Sequence, residues 1–191
     1  MSSSRRARAK RLKQILANIL VGILGLVALM LIVGLFLPKE YHVERSIEIR
    51  AKPEAVFRDL TALRTWPEWT VWNQQMDPTV KFEFDSPDSG VGAGYRWNGA
   101  KMGDGRLKIT KADPAKGIEY SLEFQRGQYG SAGSITYEPV GEGLRVTWVN
   151  EGSMGKNPIG RYMVMAMDSM LGPDMEGGLS RLKVRAEGGP R

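Results

Sequence analysis

Residues Ile15 to Leu37, ILANILVGILGLVALMLIVGLFL, run for twenty-three positions without a charge, and Asn18 is the one strongly polar side chain among them. No other feature restricts so tightly what this chain can fold into. A helix rises ~1.5 Å per residue, so a run of this length crosses the ~30 Å hydrocarbon core of a bilayer with a little tilt. The alternative is a cleaved secretory signal, whose apolar stretch is usually ~7–15 residues and closes on a small-x-small site. Here the stretch closes on Phe36-Leu37-Pro38-Lys39. The expectation is a retained transmembrane helix at residues 15–37.

The charge pattern around this run sets a direction. Residues 1–14 form a basic tail with Arg5, Arg6, Arg8, Lys10, Arg11 and Lys13 and no acid. The positive-inside tendency then puts the N-terminus in the cytoplasm and the rest of the chain on the far side of a single-pass span in the cell membrane. Lys39, Arg45, Arg50 and Lys52, mixed with three glutamates, follow the span and soften the contrast. The tail also accounts for the formal charge of +6, because without it the basic and acidic residues are equal at 21 each. A nucleic-acid-binding domain carries its basic stripe on the folded part, so no nucleic-acid partner is expected. The chain has no cysteine and one histidine, His42. That excludes a disulfide framework, a thiolate nucleophile and Cys-based or multi-His metal sites, and neither a metal nor a cofactor is expected.

Beyond the span, apolar and polar residues alternate. Tyr41, Val43, Ile47 and Ile49 oppose His42, Glu44, Ser46 and Glu48, and Ile118, Tyr120, Leu122 and Phe124 oppose the polar residues between them. Shorter matches are VKFEF, YRW, RLKIT, SITY and LRVTWV, separated by turn signals such as SPDSGVGAG, GDG, DPAKG and PVGEG. Seven strands at hairpin spacing with one apolar face predict an antiparallel sheet covered on one side. Two regions break the alternation. AKPEAVFRDLTAL reads as a helix with Pro53 in its first turn, followed by a second short helix from Pro67. Pro158 to Val184 reads as a long helix with Met163, Met167, Met170 or Leu171, Met175, Leu179 and Leu182 in a stripe, and Pro173 should kink or interrupt it.

The short stretch RTWPEWTVWNQQMDP carries three of the five tryptophans at steps of three. On a helix, Trp66, Trp69 and Trp72 would share a flank. Packing under another helix, the lip of a cavity and contact with a membrane are three uses open to such a row.

The residues YHVERSIEIRAKPEAVF (Tyr41 to Phe57), the W-x-x-W-x-x-W row followed by Asp77-Pro78, and GPDMEGGLSRLK (Gly172 to Lys183) together resemble the START and birch-pollen-allergen (SRPBCC) superfamily. Within it, they are most similar to the bacterial polyketide cyclase/dehydrase and lipid-transport group. The resemblance covers residues 39 to about 186. It departs from the group's frequent Ser-Pro between the second and third tryptophans, where Thr70-Val71 stand.

The resemblance implies an α+β helix-grip fold: a seven-stranded antiparallel sheet curled around a long C-terminal helix, here preceded by one transmembrane helix. The grip domain would occupy 38–186, with a disordered tail at 187–191. A cavity between sheet and last helix is implied too, with Trp66, Trp69, Trp72, Tyr95, Trp97, Tyr120, Met163, Met167 and Met170 as candidate lining. The expected function is capture of a hydrophobic, lipid-like small molecule. A cyclase- or dehydrase-type enzyme in the same cavity and a non-catalytic protein-interaction domain with a filled core are the two alternatives. No catalytic motif is carried over. Asp77, Asp104, Asp113, Glu138 and Glu151 lie at strand ends or turns, and spacing selects none of them as a general base. Nothing in the sequence points to a particular protein partner. GVGAGYRW (Gly90 to Trp97) lacks the third glycine of a phosphate loop and leads into a strand, so it reads as a hairpin turn.

Overall fold

A computed structural model describes residues 2–188. α1 (Ser2–Phe36) is followed by β1 (Glu40–Ile49), α2 (Pro53–Thr61), a 3-10 turn (Leu63–Thr65), α3 (Trp66–Trp69), β2 (Lys81–Phe84), β3 (Gly94–Gly99), β4 (Gly103–Asp113), β5 (Gly117–Phe124), β6 (Tyr129–Val140), β7 (Gly143–Ser153) and α4 (Pro158–Ala186). The segment Lys13–Phe36 of α1 is long and apolar enough to cross a membrane. Its large apolar side chains, from Ile15 to Phe36, are exposed on every side. A helix apolar all round needs an apolar surrounding.

The seven strands form one antiparallel sheet in the order β1-β7-β6-β5-β4-β3-β2. Alternation decides which face is covered: Val43, Ile49, Leu107, Ile109, Tyr120, Ile135, Val146 and Trp148 are buried on the inner side. β1, the first strand, closes onto β7, the last, with Val43 opposite Asn150 and Ile49 opposite Leu144. The GDG triplet opens β4 instead of turning the chain. Packing explains the shift: a Cβ on Gly105 would fall 2.2 Å from the Trp97 ring, so this glycine lets a strand lie against an indole. The turn before β3 is as read, with Gly90 and Gly92 at positive φ.

α2 starts at Pro53 as expected, but the second helical piece is one turn long and ends at Trp69, leaving Trp72 in the loop beyond it. α4 is capped by Asn157, whose Oδ1 accepts from the N–H groups of Ile159 and Gly160, with Pro158 in the first turn where its missing N–H costs nothing. The expected interruption at Pro173 does not occur, and α4 runs through it. Arg45 of β1 explains why. It donates to Asp168 at 2.8 Å and to Glu176 at 2.6 Å, so one guanidinium holds the turns on both sides of the proline. Gly172 makes room for it, since a Cβ there would fall 2.0 Å from Nη2 of Arg45.

The C-terminal end is tied down as well. Lys183 donates to the Glu48 carbonyl at 2.8 Å, and the Arg50 N–H donates to Glu187 at 2.7 Å. Of the tail expected at 187–191, residues 189–191 lie outside the described residues.

Candidate ligand-binding site

The inner face of the sheet is unevenly covered. α4 packs mainly along β1, and to a smaller extent on β7, α2 and α3. Beneath its second half, Met175, Leu179 and Leu182 are buried against Val43 and Trp148. The tryptophan row belongs to this packing. The rings of Trp66 and Trp69 are 5.1 Å apart. Trp148 on β7 meets Trp66, Trp69 and Trp72 at 6.4, 5.6 and 5.7 Å. Aromatic pairs at these separations favour tilted and edge-to-face contacts. Trp66 Nε1 donates to the Leu60 carbonyl at 3.0 Å, which fixes the ring in place. Gly178 of α4 lies directly over Trp148, where a Cβ would fall 2.8 Å from the indole. Trp72 is half-buried at the margin.

Away from α4, a second aromatic chain lines the inner side of β2, β3 and β5. Phe82 and Phe84 each lie 5.6 Å from Tyr95, which is 5.8 Å from Trp97, which is 5.6 Å from Phe124. Tyr95 and Trp97 are buried, whereas Phe82, Phe84, Phe124 and their neighbours Met102 and Leu122 are only half-buried. The Arg64 guanidinium stacks 4.9 Å above Phe84 and is held by Asp88 at 3.0 Å.

Polar groups attach to the first aromatic group, in which Tyr120 lies 5.6 Å from Trp66. Trp148 Nε1 donates to the Tyr120 hydroxyl at 2.7 Å, and the Tyr41 hydroxyl donates to Asn150 Oδ1 at 3.1 Å. The rings rest on glycines: a Cβ would fall 2.2 Å from Tyr120 at Gly133 and 2.7 Å from Tyr41 at Gly152. Burial pushes the Tyr120 phenol up to about 12 and raises those of Tyr95 and Tyr41. All three stay protonated at neutral pH, because the charged form loses its hydration when buried. Among them, the Tyr41 and Tyr120 hydroxyls hydrogen-bond to Asn150 and Trp148. Asn150 and Tyr41 were not among the side chains singled out from the sequence. The available signal was an asparagine at an inward-facing position of LRVTWVNEG, two residues after Trp148.

The candidates read from the sequence therefore fall in three places. Trp66, Trp69 and Tyr120 are in the core under α4, with Trp72 at its margin. Tyr95 and Trp97 are in the outlying aromatic chain. Of the α4 methionines, Met167 is half-buried against the core, while Met163 and Met170 are 49% and 55% exposed. The core-facing stripe of α4 instead uses Gly160, Val164, Leu171, Met175, Leu179 and Leu182. Side chains occupy the space beneath the second half of α4. Two wide-open depressions lie along the sheet, and Tyr41, Leu122, Ser131 and Gly152 are among the residues lining the first. The first, of ≈ 640 Å³, is also bordered by Glu40, His42, Ala132 and Glu151, and the other, of ≈ 400 Å³, by Lys81, Arg96, Arg106 and Glu123.

The carboxylates have structural work. Asp77 is buried and accepts from the Thr79 hydroxyl at 2.6 Å, from the Thr79 N–H, and from the N–H groups of Lys101 and Met102 at 2.8 and 3.0 Å. These donors hold its carboxyl far below the usual range, so it pins the β3–β4 turn and takes up no proton near neutrality. Asp104 accepts from the Arg126 N–H, Asp113 from the Ala115 N–H, and Glu138 pairs with Arg145. Asp59, also buried, meets Arg185 at 3.1 Å, and Arg185 reaches Glu68 too, which ties α2 and α3 to the end of α4. Among the described residues, no group of three or more His, Asp or Glu is placed to hold a metal ion.

Solved structures share this fold at low identity. The di-domain ARO/CYC StfQ from the steffimycin biosynthetic pathway superposes with a TM-score of 0.59 at 14% identity over 78% of this chain and 51% of its own. The chain thus spans about half the length of that relative. The KanY protein gives a TM-score of 0.55 at 15% identity over 79% of this chain and 100% of its own. The Aha1 dimer from Colwellia psychrerythraea gives 0.52 at 17% identity over 78% and 98%. At such identities the likeness concerns the fold alone. No curated protein matches the chain. The family described as polyketide cyclase/dehydrase and lipid transport matches residues 40–187, everything from the first residue of β1 to the end of α4, and the chain belongs to that family.

Proposed function

We propose that the chain is a single-pass membrane protein whose grip domain, residues 38–186, lies outside the cytoplasm and binds a hydrophobic, lipid-like small molecule on the inner face of its sheet. The observation that carries this reading is the incomplete cover of the sheet's inner face. Met167 and Leu171 on α4, Trp72 at the core margin, and Leu122 and Phe124 on β5, away from α4, are packed against the core yet only half-buried. Membership of a family described as polyketide cyclase/dehydrase and lipid transport supports a ligand-binding use of that surface, and the apolar Lys13–Phe36 segment supports a lipid-like ligand. The half-buried Tyr41 and the buried Tyr120 and Asn150 supply a few fixed polar groups at the edge of an apolar surface, the usual composition of a small-molecule site. On this reading the ligand enters as the first half of α4, the less buried half, moves away.

The test is to reconstitute the full chain in lipid nanodiscs, isolate it, extract with organic solvent and identify co-purifying apolar species by mass spectrometry. A species enriched over an α1-only control, and depleted by Leu122→Trp or Met167→Trp, is the expected result. Equal recovery from the control would remove the reading. A specific observation favours one rival, a non-catalytic interaction domain: the filled interior under the second half of α4. That rival predicts no enriched small molecule and a protein partner retained on the same nanodiscs.

A further inference from the structure

α4 begins against the end of α1. A Cβ on Gly34 would fall 2.5 Å from the Pro158 carbonyl oxygen, and the Tyr162 hydroxyl donates to the Met30 carbonyl at 2.8 Å. Arg161 donates to the carbonyls of Leu35 and Leu37, and to that of Gly155 at 3.3 Å. The Leu35 carbonyl, in the last turn of α1, has no partner within its own helix, and a cation at a helix C-terminus is favourable. The first turn of α4 is thereby fixed to residues that belong to the apolar segment Lys13–Phe36.

Helical spacing divides this part of α4 into three faces. Gly160, Val164 and Leu171 face the core. Arg161 and Tyr162 face α1, and Met165, one turn further on and 67% exposed, lies where α1 departs. The third face carries Ile159, Met163, Ala166 and Met170, at steps of four, three and four, and Ile159, Met163 and Met170 are 66%, 49% and 55% exposed. The two charges between Pro158 and Leu171, Arg161 and Asp168, lie off this face, and each is engaged, Arg161 by the carbonyls above and Asp168 by Arg45. The result is an uncharged apolar stripe about three turns long, on the helix whose first turn is joined to α1.

We propose that the first half of α4 lies in the surface layer of the same bilayer that α1 crosses, with Ile159, Met163 and Met170 in contact with lipid. An amphipathic helix with one apolar face buries that face at the boundary of headgroups and acyl chains, and the junction with α1 leaves this one no other level to occupy. The proposal rests on the reading of α1 as a membrane span. It adds to the proposed function a route: the helix that must move to admit a ligand is itself in contact with the lipid phase.

The absence of cysteine makes the test direct. Ile159→Cys, Met163→Cys and Met170→Cys are labelled with an environment-sensitive nitrobenzoxadiazole dye in the full chain, reconstituted in phosphatidylcholine vesicles. Leu24→Cys serves as the reference inside α1 and Val184→Cys, exposed at the far end of α4, as the reference in water. The expected result is several-fold stronger quenching at 159, 163 and 170 than at 184 by lipids brominated at a shallow acyl position, with protection from aqueous iodide. If Leu24 is quenched by lipid while the three α4 positions behave like Val184, the stripe proposal is overturned and the span stands. If Leu24 is accessible to iodide, the span itself fails. Energy transfer between labelled chains without lipid quenching would show that a second copy covers the stripe, and would also overturn the proposal.

Discussion

The two halves of α4 are written in nearly the same alphabet and end in opposite surroundings. Met175, Leu179 and Leu182 are buried to 1% or less, whereas Met163, Met165 and Met170 in the first half are about half exposed or more. The difference comes from what lies opposite. The second half runs along β1 from Arg45 to Arg50 and is closed over by Trp148 and the tryptophan row. The first half overhangs the start of β1 and the end of β7 and meets α1. Amphipathic spacing tells which residues share a face, but it does not tell what that face meets.

The sharpest way to break this comparison is to remove mass from each half in turn. Trp148→Ala or Met175→Ala should lower unfolding free energy by about 3–5 kcal/mol, because each leaves a cavity that its neighbours cannot fill. Met163→Ala and Met170→Ala should cost less than about 0.5 kcal/mol. Urea unfolding of the detergent-solubilised full chain distinguishes the cases, and similar losses for both groups would mean that the halves are equally engaged.

Next in size is Pro173→Ala. Proline cannot donate to the Ser169 carbonyl, and restoring that bond should stabilise the chain by about 1 kcal/mol. If the first half of α4 moves to admit a ligand, the same change should slow loading of an apolar fluorescent probe. Faster loading would argue that Pro173 is not where α4 yields.

Arg45 bridges the two halves through Asp168 and Glu176. Arg45→Met should speed amide hydrogen exchange in residues 158–172 while leaving 175–186 nearly unchanged. A uniform change along α4 would show that the clamp does not separate the halves.

A smaller effect follows from pH. Arg45 lowers the Asp168 carboxyl below its ordinary value. The pair therefore stabilises fully above the unfolded carboxylate pKa of ~4, and its contribution is lost as pH falls through the lower folded value. Exchange in residues 158–172 should rise below about pH 4, and this rise should vanish in Arg45→Met. Persistence of the rise in that variant would assign it to another group, Asp77 first.

Much of the fold could be read from local pattern. The alternation in YHVERSIEI and IEYSLEF gave two strands almost residue for residue, because a half-buried strand has a period of two and a covered face leaves no other register. The candidate site was less legible, since it depends on pairs far apart in sequence. Trp148 is 82 residues from Trp66 and 28 from Tyr120, and nothing near it announces that it will join them. The length of the second helix was misjudged for a related reason. Steps of three put Trp66, Trp69 and Trp72 on one helical flank, but Trp148 collects all three although the helix ends at Trp69.

By itself the sequence determined the apolar run, the strand faces and the order of elements, which follow from composition and short-range periodicity, and its motifs carried the resemblance to the family. The tertiary structure alone decided that α4 continues through Pro173, that Tyr41 and Asn150 meet at the edge of the core, and that Met163 and Met170 face outward beside α1. Those outcomes depend on which surfaces remain free once the sheet has curled and α4 has settled along β1. Burial is a property of neighbours, and those that α4 meets on β1 and α1, like the Asn150 that Tyr41 meets, are more than a hundred residues away along the chain.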